Sequence, residues 1–232
     1  MAVLQLGDIS VQRIVEHEIP VYLPSDMFDE ATPEAIEPYR EWLEPKALCP
    51  RTGRLVMPVL SYLVRTRHHC ILIDTCVGCQ KSYAEPPEWH QRRNEDWLSN
   101  LEAAGVHPED VDYVFCTHLH SDHCGWNTRL VDGRWVPTFP KAKYVFSRDE
   151  YAEIEAENSL IFIENVQPIL EANQAVLVDI GLRAGRRALA RAHGGPHGGA
   201  RGDSSQVRPT SRCNVRRPDP QSAAARRDRL EL

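Results

Sequence analysis

The stretch Thr117-His118-Leu119-His120-Ser121-Asp122-His123 places three histidines and a carboxylate close together, directly behind the apolar run Val111-Asp112-Tyr113-Val114-Phe115-Cys116. The run has the β-branched and aromatic content of a short buried strand, so the histidines are expected on the loop leaving its carboxyl end. On an extended backbone His118 and His120 point the same way, and a tight bend brings Asp122 and His123 back toward them. Imidazole nitrogens and a carboxylate oxygen are the donors that borderline divalent metals prefer. A single histidine at a strand end is ordinarily a solvated or hydrogen-bonded side chain. Four donors this dense, followed by Gly125 where the backbone can turn, point to a metal site.

Working outward, Leu55 to Thr66 and Cys70 to Thr75 read as two strands of a hairpin, with Arg67, His68 and His69 as turn residues. Trp97, Leu98, Leu101 and Ala104 recur at helical spacing, predicting a helix over 95–104 with Asn94 as its cap and Gly105 as its stop. Pro108-Glu109-Asp110 turns the chain into the strand before the histidines. Behind them, Gly125-Trp126-Asn127 and Asp132-Gly133-Arg134 bracket a hairpin, Phe139 to Phe146 reads as a strand, and Ser147 can cap a helix starting near Arg148. A helix over 162–170 and a strand over 175–178 follow. Toward the amino terminus, Ile9 and Val11 alternate with polar residues as in a half-buried strand, while Pro20, Pro24, Pro33, Pro38, Pro45 and Pro50 make residues 20–50 an arm of loops and short helical turns. Strand, helix, strand order of this kind requires a layered α/β fold.

With 232 residues, 42% of them hydrophobic and 26% charged, the chain is ordinary for a globular protein with one sizeable core. No basic segment followed by a long apolar stretch opens it and no run approaches the length of a membrane span, so a cytoplasmic protein without a membrane partner is expected. Seven cysteines at 49, 70, 76, 79, 116, 124 and 213 fit reduced thiols better than a disulfide framework. Cys76 and Cys79 lie three apart, a spacing that serves zinc or disulfide exchange; without a second pair an incidental or structural role is favoured.

His118-Leu119-His120-Ser121-Asp122-His123 resembles the H-x-H-x-D-H signature of the metallo-β-lactamase superfamily. Leu72-Ile73-Asp74-Thr75 resembles that superfamily's Leu-Ile-Asp-Thr-Gly segment, with Cys76 in place of the glycine. Phe139-Pro140, Ala142 and Tyr144, together with Trp126 and the long arm, look more like the lactonase and arylesterase-like branch than the thioesterase (glyoxalase II) branch. The resemblance implies an α/β fold, the αβ/βα four-layer sandwich, with two divalent metal ions. Zinc is favoured, while manganese, iron and cobalt stay open for such N/O ligands. It assigns His118 and His120 to one ion and Asp122 and His123 to the other, makes Asp122 part of the catalytic centre, and gives Asp74 the task of orienting the histidine loop. The implied reaction is attack of a metal-activated hydroxide on the carbonyl of a small-molecule lactone or ester, with thioester and phosphoester as alternative substrates.

The resemblance breaks after Leu182. A Pro-Gly-His-Thr-x-Gly-His segment, a Gly-Asp pair and a final histidine are required there to complete both metal sites, and none stands in proper form. Residues 183–232 hold twelve Arg, no Lys and four acidic residues, a net +8 that leaves −14 for the rest of a chain totalling −6. They contain no aromatic residue, and such a composition buries little apolar surface. The chain is therefore expected to hold a partial domain at 1–182, the amino-terminal half of the sandwich, followed by a disordered, irregular tail at 183–232. With half the sandwich missing, apolar faces are expected to lie open, and fewer than two ions to be held. The codons of Ala190-Arg191-Ala192-His193-Gly194-Gly195-Pro196-His197-Gly198, read one nucleotide later, can encode Pro-Gly-His-Thr-x-Gly-His. A frameshift is thus the preferred reading, and His193, His197 and Asp203 become by-products of the shifted frame. The alternative is a genuine basic tail that binds an acidic partner, with the metal loop non-catalytic. Nucleic-acid binding is not expected, because the tail has no aromatic platform. Sequencing the coding DNA across residues 175–232 decides this: the shifted frame is expected to spell the missing segment and continue to a Gly-Asp pair, and an incoherent shifted frame establishes the basic tail as genuine.

Overall fold

A computed structural model describes residues 3–179. The tail expected over 183–232, with His193, His197 and Asp203, lies outside the described residues. Among the described residues, one seven-stranded sheet holds its strands side by side in the order of the chain, with a two-stranded hairpin set apart. Its strands are β1 (Val3–Leu6), β2 (Ile9–Pro20), β3 (Val56–Arg65), β4 (Cys70–Ile73), β5 (Tyr113–Phe115), β8 (Lys143–Ser147) and β9 (Ala175–Val178). The first four pair antiparallel, β1 with β2 and β3 with β4 through short turns and β2 with β3 across the long arm, whereas β4, β5, β8 and β9 pair parallel. Parallel neighbours need crossovers, and helices lie in them: α4 (Asp96–Ala103) between β4 and β5, then α6 (Arg148–Glu157), α7 (Leu160–Asn165) and α8 (Gln167–Glu171) between β8 and β9. The arm holds α1 (Pro24–Met27), α2 (Pro33–Ile36) and α3 (Arg40–Leu43), and β6 (Thr128–Val131) with β7 (Arg134–Pro137) forms a separate hairpin. Its turn residues Asp132 and Gly133 both take positive φ, as a two-residue hairpin turn demands.

The two faces of the sheet differ. Leu63, Leu72, Val114 and Tyr144 stand side by side across four strands and are fully buried, with Trp97 and Leu101 of α4 and Ile169 of α8 in the same core. On the opposite face Tyr62, Ile73, Phe115, Val145 and Val176 form a second apolar row, with Tyr62 43% and Val176 38% exposed and the three between them only half-buried. A sheet covered on one side and apolar on both is what the first layers of the expected sandwich present.

Several boundaries differ from the sequence reading. The strand before the histidines is shorter, Tyr113–Phe115, and that expected from Phe139 begins only at Lys143. Strand β1 has no forerunner in the sequence reading. Helix α4 is capped at Glu95, while the Asn94 side chain accepts from the Asp96 N–H at 2.7 Å from one residue farther out. Ser147 precedes α6 but makes no side-chain cap. The helix expected over 162–170 is two helices, α7 and α8. Pro168 has no N–H to give the Glu164 carbonyl, which accepts instead from Lys81 Nζ at 3.1 Å and from the Thr128 hydroxyl.

Lys81 is 1% exposed and its Nζ stands 3.5 Å from the centroid of the Trp135 ring. Burial pushes its pKa down to about 7, against the opposing pull of Glu164. The folded chain therefore releases this proton at a pH where the unfolded chain keeps it, so stability rises with pH from about 7 toward the usual lysine value. Relative to Lys81→Met, the natural chain is expected to gain stability between about pH 6 and pH 8.5 in denaturant unfolding. A difference that is flat with pH contradicts a neutral buried lysine.

Candidate metal centre

The strand β5 ends at Phe115, and residues 117–120 leave it as a loop that leads into a single helical turn, α5 (Ser121–Cys124). The turn swings Asp122 and His123 back toward His118 and His120. The His118 ring lies 3.8 Å from that of His123 and 4.5 Å from that of His120, centroid to centroid. His123 Nε2 is 3.4 Å from Asp122 Oδ2, while its Nδ1 is 2.9 Å from Asp74 Oδ2. Asp74 also accepts from the Thr117 N–H at 2.7 Å and from the Thr117 hydroxyl. The aspartate singled out in the sequence thus ties the first and last parts of the histidine loop together.

Two ligands of a tetrahedral ion with bonds of about 2.0 Å stand roughly 3.3 Å apart. Asp122 Oδ2 and His123 Nε2 have that separation, and Asp74 occupies the outer nitrogen as carboxylates do behind metal-bound histidines. The donor set therefore fits a borderline divalent ion. Among the described residues, however, no three His, Cys, Asp or Glu side chains converge on one point as a complete cage. Asp122 with His123, and His118 with His120, form adjoining pairs that each need further ligands.

The electrostatics agree with a tightly coupled cluster. Burial and then the neighbouring His123 and His120 push His118 down to about 4. Burial opposes the charged form of His123, but the Asp122 and Asp74 carboxylates hold it up at about 9. Burial would raise Asp122, yet the hydrogen bond and charge of His123 bring it below the usual carboxylate value.

The loop is held by backbone contacts to residues 74–78. Thr75 N–H donates to the His123 carbonyl, Gly125 N–H to Cys76 and Trp126 N–H to Thr75, each at 2.8 Å. Asp74 and Cys76 take left-handed φ of 59° and 54°. Cys76 therefore occupies a backbone conformation that suits glycine, the residue it replaces in the motif. Its side chain is buried, with Sγ 3.3 Å from Ser61 Oγ, and Cys79 Sγ bonds the Arg92 carbonyl; both cysteines are free thiols. His68 and His69 sit on the exposed β3–β4 turn, away from the cluster.

Three residues near the site carried no signal in the sequence. Tyr83 donates from its hydroxyl to the Val77 carbonyl at 2.9 Å, with the Ser121 carbonyl 3.3 Å away. Tyr22, at the start of the proline-rich arm, has its phenol raised by burial and then by the charges of Asp122, Glu85 and Glu88. Glu16 of β2 reaches the 77–78 turn. Alternation alone marks β2 as a strand and says nothing about which distant loop its one buried carboxylate meets.

The hold of residues 74–78 on the loop is testable. An added Cβ on Gly125 would stand 1.9 Å from the Val77 carbonyl oxygen, so Gly125→Ala is expected to abolish saturable metal binding. Asp74→Asn is expected to weaken zinc affinity about 10- to 100-fold in a chelator competition. Affinities equal to that of the natural chain contradict this view of the loop.

The sequence matches the profile of the metallo-beta-lactamase superfamily over residues 54–202, well over half of the chain. N-acyl homoserine lactonase AiiA of Bacillus thuringiensis subsp. kurstaki is 29% identical over 112 residues, which cover 43% of this chain and 44% of that protein. The chain thus spans under half the length of this curated relative. Among solved structures, a probable metal-dependent hydrolase from Staphylococcus aureus aligns with TM-score 0.57 at 20% identity, covering 76% of this chain and 61% of the other. AidC, a dizinc quorum-quenching lactonase, aligns with TM-score 0.57 at 17% identity, covering 78% and 61%. These likenesses carry the fold, and together with the matched profile they mean that the chain belongs to the metallo-beta-lactamase superfamily.

Proposed function

We propose that this chain carries the amino-terminal ligand half of a metal-dependent hydrolase acting on lactones or esters, with N-acyl homoserine lactones as the first substrates to assay. The observation that carries the reading is the Asp74–His123–Asp122 relay on the loop after β5, a carboxylate behind an imidazole beside a second carboxylate. The names of lactonase relatives support the substrate class. Asp122 and His123 would hold one divalent ion, zinc being favoured, and His118 with His120 the other. A divalent ion there supplies a Lewis acid that polarises a substrate carbonyl and lowers the pKa of water. Asp74 keeps His123 oriented, and Thr117 fixes Asp74 in turn.

Turnover by this chain is proposed to be impaired. The described residues supply two adjoining pairs of ligands, and the further ligands that the family motif requires do not stand in proper form after Leu182. A second reading, a non-catalytic metal-binding fragment, is favoured by the absence of a three-ligand cage among the described residues. Cytoplasmic location stays a proposal; among the described residues no helix is long and apolar enough to cross a membrane.

Hydrolysis of an N-acyl homoserine lactone and an aryl ester, with zinc or manganese added, separates the readings. Slow turnover that disappears in Asp122→Ala and with a chelator is expected, rising steeply in the frame-restored protein. Metal binding without turnover in both forms supports the non-catalytic fragment, and turnover that survives in Asp122→Ala rules out this centre as its source.

A further inference from the structure

Pairing along β2 and β3 slips by one residue between Val15 and His17, so that Val15 faces Leu60, His17 faces Val59, and Glu16 has no partner on β3. Such a bulge re-aims the extra residue. Here it aims a carboxylate into the core, where the Glu16 side chain is only 2% exposed. Glu16 Oε1 accepts from the Gly78 N–H at 3.1 Å and from Trp126 Nε1 at 2.8 Å, and Oε2 accepts from the Val77 N–H at 3.0 Å. Arg92 Nη1 stands 3.4 Å from Oε2 and is its cationic partner. The nearby His17 Nδ1, 3.3 Å from Oε2, serves Arg92 as an acceptor at 2.7 Å.

These donors come from the two segments that meet at the candidate centre. Val77 and Gly78 end the turn that begins with Asp74; Gly125 and Trp126 follow the helical turn that carries Asp122 and His123. The segments touch backbone to backbone, since a Cβ on Gly78 would stand 2.7 Å from the Gly125 carbonyl carbon. One end of this paired ladder is closed by Asp74 and His123, the other by Glu16. Trp126 is also held from its face by Trp97, stacked at 5.7 Å and 16°.

We infer that Glu16 is a positioning residue for the metal centre: by clamping the 77–78 turn to Trp126 it fixes where Asp122 and His123 stand. The inference rests on the proposed metal-binding reading of those residues. A carboxylate is required because all its partners are donors. In Glu16→Gln an NH₂ group must face either the Val77 N–H with Arg92 or the Gly78 N–H with Trp126, so the shape is kept and one side of the clamp becomes repulsive.

The test is cobalt(II) titration of the metal-free full chain, read by visible ligand-field absorption, together with zinc affinity by chelator competition. Leu101→Val serves as a control that loosens the core behind α4 without touching the clamp. The natural chain and Leu101→Val are expected to share one cobalt spectrum, whereas Glu16→Gln shifts the bands and weakens zinc binding by about tenfold or more. If Glu16→Gln lowers the unfolding midpoint but overlays the natural spectrum and affinity, Glu16 is a structural residue only and the inference is overturned. If Glu16→Gln does not fold, Trp126→Phe removes the indole donor and keeps the ring on Trp97; the same spectral shift supports the clamp, and an unchanged spectrum overturns it. A natural chain with no saturable cobalt spectrum sinks the metal-binding reading itself, and the inference falls with it.

Discussion

The contact on which the rest of this site depends is the pairing of residues 74–78 with residues 121–126. Three backbone hydrogen bonds of 2.8 Å and the 2.9 Å contact between Asp74 and His123 join them. Backbone at such close range leaves no room for side chains, which is why glycines stand at 78 and 125, each meeting the other segment. It also explains why the chain bears a left-handed Cys76 in the same turn. Non-glycine residues in that region are strained, and strain of this kind persists only where surrounding contacts over-determine the backbone. Asp74 on one side and Glu16 on the other do this here.

The sheet delivers both segments to one place. The turn 74–78 leaves β4 and the histidine loop leaves β5, adjacent parallel strands whose carboxyl ends therefore lie together. Ligand sites in open α/β sheets collect at such ends. The buried row from Leu63 to Tyr144 fixes the strands, and the clustered donors are carried on short loops with little freedom of their own. The half-open apolar row from Tyr62 to Val176 is the reverse side of the same sheet, and it marks where further layers would pack.

Much of this was legible in the sequence, and the exceptions have physical causes. The spacing of His118, His120, Asp122 and His123 after an apolar run pointed to the loop, and the family resemblance of Leu72-Ile73-Asp74-Thr75 implied that Asp74 supports it. Strand β9 falls on Ala175–Val178, the short apolar run expected to form it. Periodicity could not reveal that Pro168 would split a helix so that the Glu164 carbonyl is freed for Lys81, because the acceptor lies eighty-odd residues away in sequence. Nor could it reveal the bulge at Glu16, since alternation assumes uninterrupted pairing. The residues read most easily are those whose neighbours are local, and those missed act across the fold.

The central claim is that Asp122 and His123 share one ion while Asp74 holds His123 from behind. Anomalous diffraction at the zinc edge from crystals of this chain soaked in zinc tests it directly. The account predicts a peak between Asp122 and His123 Nε2, with Asp74 still on Nδ1. A zinc ion bound elsewhere, at Cys76 and Cys79 or on Asp74 itself, would contradict it.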